Sequence, residues 1–537
     1  MTEFLEKKYS IAPSQFNRWL VPPAALAIHL CIGMAYGFSV FWIPLSQIIG
    51  VSSPLACPAN IHWWEYLYRT DCDWPISMLG WTYTLFFVLL GSAAAVWGSW
   101  VEREGPRKAG FVSACCWAGG LLLAAAGIKT HQLWLVWLGS GVIGGIGLGL
   151  GYISPISTLI KWFPDRRGMA TGMAIMGFGG GAMIGSPLAN NLMNYFSTES
   201  STGVWETFCV MAAIYFVFMT AGAIGYRLPA ADWEPATKIN SKINTAQQGP
   251  EIDVRTAMRT SQFWLLWVVL CVNVTAGIGI LGMASPLLQE IFGGRLISLD
   301  ISFDQLDASQ KKEVAMVAAG FTGLLSLFNI AGRILWATIS DRIGRKNTYT
   351  IFLSLGCLLY CTIPFLGKSG FLAMFTAVFC IILSMYGGGF ATIPAYLSDL
   401  FGTKMVSAIH GRLLTAWSTA GILGPVLVNY LREYQISQGI PTAEAYNKTL
   451  YLLGGLLIIG LICNAVVKPV NAQKNKSANS TSEATKVPSA DSSKSPKKLE
   501  NNQTRVIWWL LLSWAAVLIP LAWGAINTFK TILVLFR

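Results

Sequence analysis

Long apolar runs separated by short polar breaks dominate this chain. VPPAALAIHLCIGMAYGFSVFWIPL (21–45) and MLGWTYTLFFVLLGSAAAVWGSW (78–100) are typical. About 20 apolar residues at a rise of about 1.5 Å each cross a bilayer core. Backbone groups in lipid must bond within their own segment, so such runs are helices. The pattern predicts thirteen spans, at roughly 19–45, 76–100, 109–128, 133–160, 169–195, 205–228, 261–291, 314–339, 347–367, 371–399, 407–432, 447–468 and 506–535. Two polar stretches break the rhythm. The first, 229–260, divides six spans from the next six; the second, 470–504, is rich in Ser, Lys, Asn and Thr and reads as a disordered linker. The expected organisation is an N-terminal six-helix half (1–228), a central loop (229–260), a C-terminal six-helix half (261–469), the linker (470–504) and a thirteenth transmembrane helix (505–537).

Composition supports this. Of 537 residues, 54% are hydrophobic and only 12% charged, about half the charge of a soluble domain. The N-terminal segment MTEFLEKKYSIAPSQFNRW lacks a signal-peptide apolar core, so the first span is expected to remain as a helix. Of 38 Lys and Arg, 27 fall in the N-terminus, the loops after spans 2, 4, 6, 8 and 10, and the linker. That bias places the N-terminus and the central loop in the cytoplasm, and a multi-pass protein of the plasma membrane, a bacterial inner membrane, is expected. The net charge of +12 then reflects topology and not nucleic-acid binding.

A shift of 239 residues exposes an internal repeat. GSWVEREGPRK (98–108) overlays ATISDRIGRK (337–346), with Glu102 on Asp341, Arg103 on Arg342 and Gly105 on Gly344. Gly149 meets Gly388, Pro155 meets Pro394, Gly172 meets Gly411 and Gly185 meets Gly424 under the same shift. Two parallel six-helix repeats explain a constant offset across four spans.

The doubled loop resembles the signature loop of the major facilitator superfamily. That resemblance implies two six-helix bundles working by alternating access, with a further span appended. Glu102, Arg103, Asp341 and Arg342 would then serve conformational gating, the acids pairing with basic residues across the interface between halves. NRW (17–19), KWFPDRRGMATG (161–172), RTSQFWLLW (259–267), NIAGRILWATISDRIGR (329–345) and SDLFGT (398–403) further resemble the oxalate/formate antiporter family. Members exchange or import small carboxylates, so a monomeric carrier of a small carboxylate, with or without protons, is implied.

Arg333 stands near the middle of span 8. An Arg there is costly in lipid and normally faces a cavity on a substrate path, and guanidinium fits a carboxylate bidentately. The resemblance places the family's carboxylate-binding arginine at Arg333. The family's second cation, in span 11, falls on Trp417 in LLTAWSTAG (413–421). One cation balances one negative charge, so a monocarboxylate such as formate, lactate or pyruvate is favoured over oxalate. The family's cage positions fall on Tyr36, Tyr152, Phe178, Tyr386 and Phe390; Phe178 and Phe390 are apolar where a polar ring is common. Asn329, one turn before Arg333, either orients the guanidinium or bonds a neighbouring helix. His29 is either a packing histidine or a proton carrier.

Nine of the eleven cysteines lie in apolar spans; Cys57 and Cys72 share a polar outer loop, where a disulfide is plausible. GIGILG (277–282) matches a dinucleotide pattern, but it lies inside a span with no strand before it. No G-x-x-x-x-G-K-[ST] occurs. No cofactor and no metal is expected, and scattered histidines with few intramembrane acids argue against an embedded enzyme. A sensor that keeps the transporter fold without transport is the rival reading. The last span resembles the short single-span accessory polypeptide of some transporters in this family, and a lipid-facing helix against the bundle is expected.

Overall fold

The computed structural model describes residues 5–13, 16–51, 55–58, 61–163, 167–230, 233, 252–402, 405–470 and 500–533. Most of the linker (471–499) and of the central loop (234–251) lies outside the described residues.

Thirteen long helices carry the fold. They are α1 (Val21–Ile32), α2 (Ile76–Glu104), α3 (Pro106–Lys129), α4 (Gly145–Trp162), α5 (Arg167–Phe196), α6 (Val204–Gly225) and α7 (Ser261–Leu281). After them come α8 (Ala308–Ile343), α9 (Arg345–Lys368), α10 (Leu372–Phe401), α11 (Thr415–Ser437), α12 (Asn447–Val466) and α13 (Glu500–Ile532). Twelve helices among the described residues are long and apolar enough to cross a membrane. The remaining expected span, 407–432, whose helix is α11, is not one of them, because Thr, Ser, Asn, Tyr and Arg432 interrupt its apolar residues. It still packs between α2 and α7, with Asn429, Arg432 and Gln435 buried against protein.

Two helices break where neighbours press on them. α1 tightens into a 3-10 stretch over Gly33–Phe41. There Gly33 lies against the α5 backbone at Phe178 and Gly181, and Gly37 lies against Ala182 and Ser186. α7 ends at Leu281 and resumes as Ala284–Phe292. A break of this kind exposes backbone carbonyls, which is tolerated at membrane depth only inside protein. The Gly282 carbonyl accepts from Trp42 Nε1 at 2.8 Å.

Contacts between the halves run along two flanks: α2 packs on α11, and α5 packs on α8. The 239-residue shift carries α2 onto α8 and α5 onto α11, so each flank is the repeat-equivalent of the other. The two signature loops share a backbone as well. Gly105 (φ 95°, ψ 164°) and Gly344 (φ 87°, ψ 150°) make the turns α2–α3 and α8–α9. A side chain is strained at such φ values, which accounts for glycine at both repeat positions.

α13 lies against α1, α5 and α8, across the α5–α8 flank. Gly524 abuts the α5 backbone at Met183, Thr528 abuts Gly323 of α8, and Trp514 Nε1 donates to the Trp19 carbonyl at 3.2 Å. Its other face carries exposed Trp508, Trp509, Leu512, Ile519 and Phe529, as a lipid-facing helix requires.

In the loop before α2, Cys57 and Cys72 form a disulfide with Cα atoms 5.0 Å apart. Asp73 organises the same loop by accepting from the backbone N–H groups of Ile49 (2.7 Å), Gly50 (3.0 Å) and Leu55 (2.8 Å). His131 stacks on Trp74 at 4.1 Å, and its Nε2 lies 2.8 Å from the Cys72 carbonyl. Burial there pushes the His131 imidazole below its ordinary range, so the neutral ring, donating through Nε2, is the favoured form.

Candidate functional site

Arg333 is fully buried two-thirds of the way along α8. Its Nε donates to Asn329 Oδ1 at 3.0 Å and its Nη1 donates to the Ile175 carbonyl on α5. Asn329 therefore orients the guanidinium, one of the two roles its position suggested. Two small residues make the space. Gly179 faces Arg333 Nε and Asn329 Oδ1 so closely that a Cβ would stand 3.0 Å from each. Ser326 donates to the Gly179 carbonyl and accepts from Met183 N at 3.2 Å, which pins α5 to α8 here.

An aromatic wall surrounds the guanidinium. The Phe390 ring lies 5.8 Å from Arg333 Cζ, and Trp417 packs on Phe390 at 4.3 Å. Trp417 also meets Tyr152 edge-on at 5.1 Å and Phe178 at 5.6 Å. Tyr36 meets Phe178 at 4.8 Å, and its hydroxyl lies 2.9 Å from that of Tyr386, joining α1 to α10. The structure thus brings Arg333, Asn329, Tyr36, Tyr152, Phe178, Tyr386, Phe390 and Trp417 into one contiguous cluster of packed side chains at the centre of the bundle. His29 stands behind its wall, stacked on Tyr152 at 5.5 Å and edge-on to Phe178 at 6.2 Å.

The polar inventory of this cluster is one-sided. Arg333 Nη2, Asn329 Nδ2, Trp417 Nε1 and the Tyr152 hydroxyl are all buried without a hydrogen-bond partner among the described residues. All four can donate. Buried donors are normally paired, and each one left unmatched costs about 1–3 kcal/mol. Arg333 has no carboxylate partner among the described residues. Unmatched donors in the same cluster as a buried cation have the polarity that suits a small anion.

Sequence reasoning missed several members. Phe87 of α2 stacks on Trp417 at 5.6 Å and on Tyr36 at 6.0 Å. Gly179 and Gly277 give room to Arg333 and to the Tyr386 ring respectively. Glycine in an apolar span permits close helix approach, but does not say which side chain it makes room for. A buried acid also escaped notice: Glu290 accepts from Arg432 Nε at 2.8 Å and from the Tyr446 hydroxyl at 2.7 Å. All three belong to the C-terminal half, which makes this a satisfied internal pair.

The gating residues depart from expectation. Glu102 pairs with Lys161 of α4 at 2.5 Å, and Asp341 pairs with Arg345 four residues on. Arg103 reaches only Glu104, at 3.3 Å, and Arg342 lies exposed. Among the described residues neither acid pairs across the halves: each is held by a basic residue of its own bundle. Contact between halves at this end is made instead by Arg412 Nη1, which donates to the Ala95 carbonyl at 2.7 Å. At the opposite end Trp42 to Gly282, Ser77 N to Glu433 (3.1 Å) and Trp81 Nε1 to Tyr430 (3.0 Å) join the halves. A cavity of about 650 Å³ opens at the Glu102 end, lined by Ser99, Ile156, Lys161, Arg255, Pro394 and His410.

A Major Facilitator Superfamily model matches residues 25–425 and 315–536. Relatives include the oxalate:formate antiporter of Oxalobacter formigenes, 23% identical over 410 residues, spanning 76% of this chain and 83% of that protein. Apicoplast pyruvate carrier 1 of Toxoplasma gondii is 25% identical over 408 residues, 66% of this chain and 70% of its own. The solved structure of the proton:xylose symporter XylE bound to 6-bromo-6-deoxy-D-glucose aligns with a TM-score of 0.54 at 14% identity. That alignment covers 84% of this chain and 96% of XylE, and shows the shared fold. Its all-helical fold and the match across most of its length make this chain a multi-pass transporter of the Major Facilitator Superfamily, similar in sequence to oxalate/formate-type members.

Proposed function

We propose that this protein carries a small monocarboxylate, of the formate, lactate or pyruvate type, across a bacterial inner membrane by alternating access. One observation carries the reading: a fully buried guanidinium with no acid partner among the described residues, clustered with the unmatched donors of Asn329, Trp417 and Tyr152 where α4, α5, α8 and α11 meet. The relatives, which include an oxalate:formate antiporter and a pyruvate carrier, support carboxylates as the class.

The anion would take Arg333 Nη2 and the neighbouring donors, while Tyr36 and Tyr386 close one side. Trp417 occupies the place of a second cation and offers only a neutral N–H. A second carboxylate would therefore stay unpaired in low dielectric, at a cost of several kcal/mol. Neutralising Arg333 would stabilise the closed cluster, since the lone buried cation is its main electrostatic cost. The halves 1–228 and 261–469 would rock about the α2–α11 and α5–α8 flanks, the N-terminus lying in the cytoplasm, in a monomer. The cycle is either proton symport or anion exchange.

Purified protein in liposomes, given formate, lactate, pyruvate or oxalate with and without a pH gradient, tests this. Uptake and counterflow of a monocarboxylate are expected, with oxalate a weak competitor. Ligand binding without any flux would favour a sensor, and indifference to all four acids would refute the proposal.

A further inference from the structure

His29 is fully buried, and both of its ring nitrogens face backbone carbonyl oxygens on other helices. Nδ1 faces the Ala174 carbonyl on α5, and Nε2 faces the Tyr152 carbonyl on α4 at 3.2 Å. A neutral imidazole carries one N–H, so it can donate to only one of these acceptors and turns a lone pair on the other. The imidazolium donates to both. The cradle therefore offers an acceptor to each N–H of the protonated ring, and among the described residues no acidic side chain pairs with it.

What faces the ring is equally telling. α5 presents Ala174, Gly177 and Phe178, none of which titrates. α4 presents Tyr152, and Tyr36 stands on the same stretch of chain as His29. Burial is the first penalty on a charged ring there, and the field of Arg333 of α8 adds to it. Arg333 Nη1 holds the Ile175 carbonyl while His29 Nδ1 faces that of Ala174. Two cation-capable side chains thus hold consecutive carbonyl oxygens of one turn of α5.

We propose that His29 is the proton site of a proton–carboxylate symport cycle, and that its proton and the anion on Arg333 bind with positive cooperativity through this shared turn. The inference rests on the carboxylate reading above and decides between its two coupling modes. With Arg333 bare, a second buried positive charge beside it is penalised, and His29 stays neutral. An anion on Arg333 removes the share of the penalty that Arg333 imposes, the two carbonyl acceptors offset part of the burial cost, and a proton from water adds to the free ring nitrogen. By reciprocity the protonated ring strengthens anion binding by the same factor. On the opposite side, loss of either favours loss of the other, and the proton returns to water from the same nitrogen. Substrate carboxyls stay ionised above about pH 5, so they do not supply this proton.

The test uses the full chain with pyruvate as probe. In weakly buffered detergent, a pH dye should report about one proton taken up per pyruvate bound. The apparent affinity should rise by up to about tenfold per pH unit as pH falls, which is the limit of one linked proton. In liposomes, an inward proton gradient should drive pyruvate accumulation by the wild type. His29→Gln and His29→Asn should lose that accumulation and the proton uptake, while counterflow persists at reduced rate. Pyruvate binding by the wild type with no proton uptake overturns the proposal without recourse to a variant. Gradient-driven accumulation by His29→Asn overturns it too. Absence of binding and counterflow for every carboxylate would instead remove the carboxylate reading.

Discussion

Replacing Arg333 by Gln should separate the stability of this protein from its transport. The guanidinium is buried with no acid partner among the described residues, and burying an ion costs several kcal/mol even after relaxation. The protein returns part of that cost through Asn329 Oδ1, the Ile175 carbonyl and the Phe390 face. Hydrogen bonds from a charged donor are worth about 1.5–3 kcal/mol each, and the ring adds about 1–2. One side of the guanidinium, Nη2, stays unmatched. Gln is neutral and smaller, so the unfolding temperature without substrate should hold or rise. Binding should behave oppositely. Removing one partner of a buried ionic pair costs about 3–5 kcal/mol, and about 1.4 kcal/mol is a tenfold change. Pyruvate affinity and counterflow should therefore fall by roughly two to three and a half orders of magnitude. Arg333→Lys keeps the charge but not the planar fork that serves Asn329, Ile175 and a ligand together, so it should fall in between. Scintillation proximity binding, counterflow and thermal unfolding of the same preparations check this. Transport by Arg333→Gln within tenfold of wild type would refute the argument. So would loss of transport together with a fall of several degrees in substrate-free stability, which would mark Arg333 as a structural residue.

Three further outcomes follow from the same geometry. Trp417→Lys places a second cation beside the cluster, so oxalate should become an effective competitor of pyruvate uptake; folding yield should drop with the lost indole, since truncating a buried aromatic costs about 3–5 kcal/mol. If the folded variant still ignores oxalate, Trp417 does not set charge selectivity. Gly179→Ala would press a methyl against Arg333 Nε and Asn329 Oδ1, and should reduce substrate affinity at least tenfold with near-normal expression, as binding and yield would show. At the outer loop, burial lowers the His131 imidazole from an ordinary 6.5. Its contribution to loop order is then complete above about pH 6.5 and lost as pH falls through the lowered value. Hydrogen exchange of residues 49–75, corrected for intrinsic rates, should accelerate in that direction, and His131→Asn should flatten the trend; an equal pH response in that variant would count against it.

Span length, span number and the two-fold repeat were legible in the sequence because a bilayer imposes one constraint on every segment. Each segment must be about 20 residues long, apolar, and satisfied by its own hydrogen bonds. Arg333 was legible for the same reason, since a charge in an apolar run is conspicuous by its cost. The 239-residue offset fixed that Gly105 and Gly344 play one role, and their shared positive φ supplies the reason.

Contacts between segments distant in the chain were left to the tertiary structure. The sequence does not say that the α5 carbonyls at Ala174 and Ile175 face His29 and Arg333, from helices α1 and α8. It does not say that Gly179 makes room for a guanidinium, or that Phe87 closes on Trp417. Nor does it give the partners of the signature acids: Glu102 pairs with Lys161 and Asp341 with Arg345, each inside its own half. Hydrophobic pattern is a one-dimensional quantity, and it determined which segments lie in the membrane. Which faces meet depends on how glycine-lined helices pack in three dimensions, and that alone turned scattered donors into one cluster.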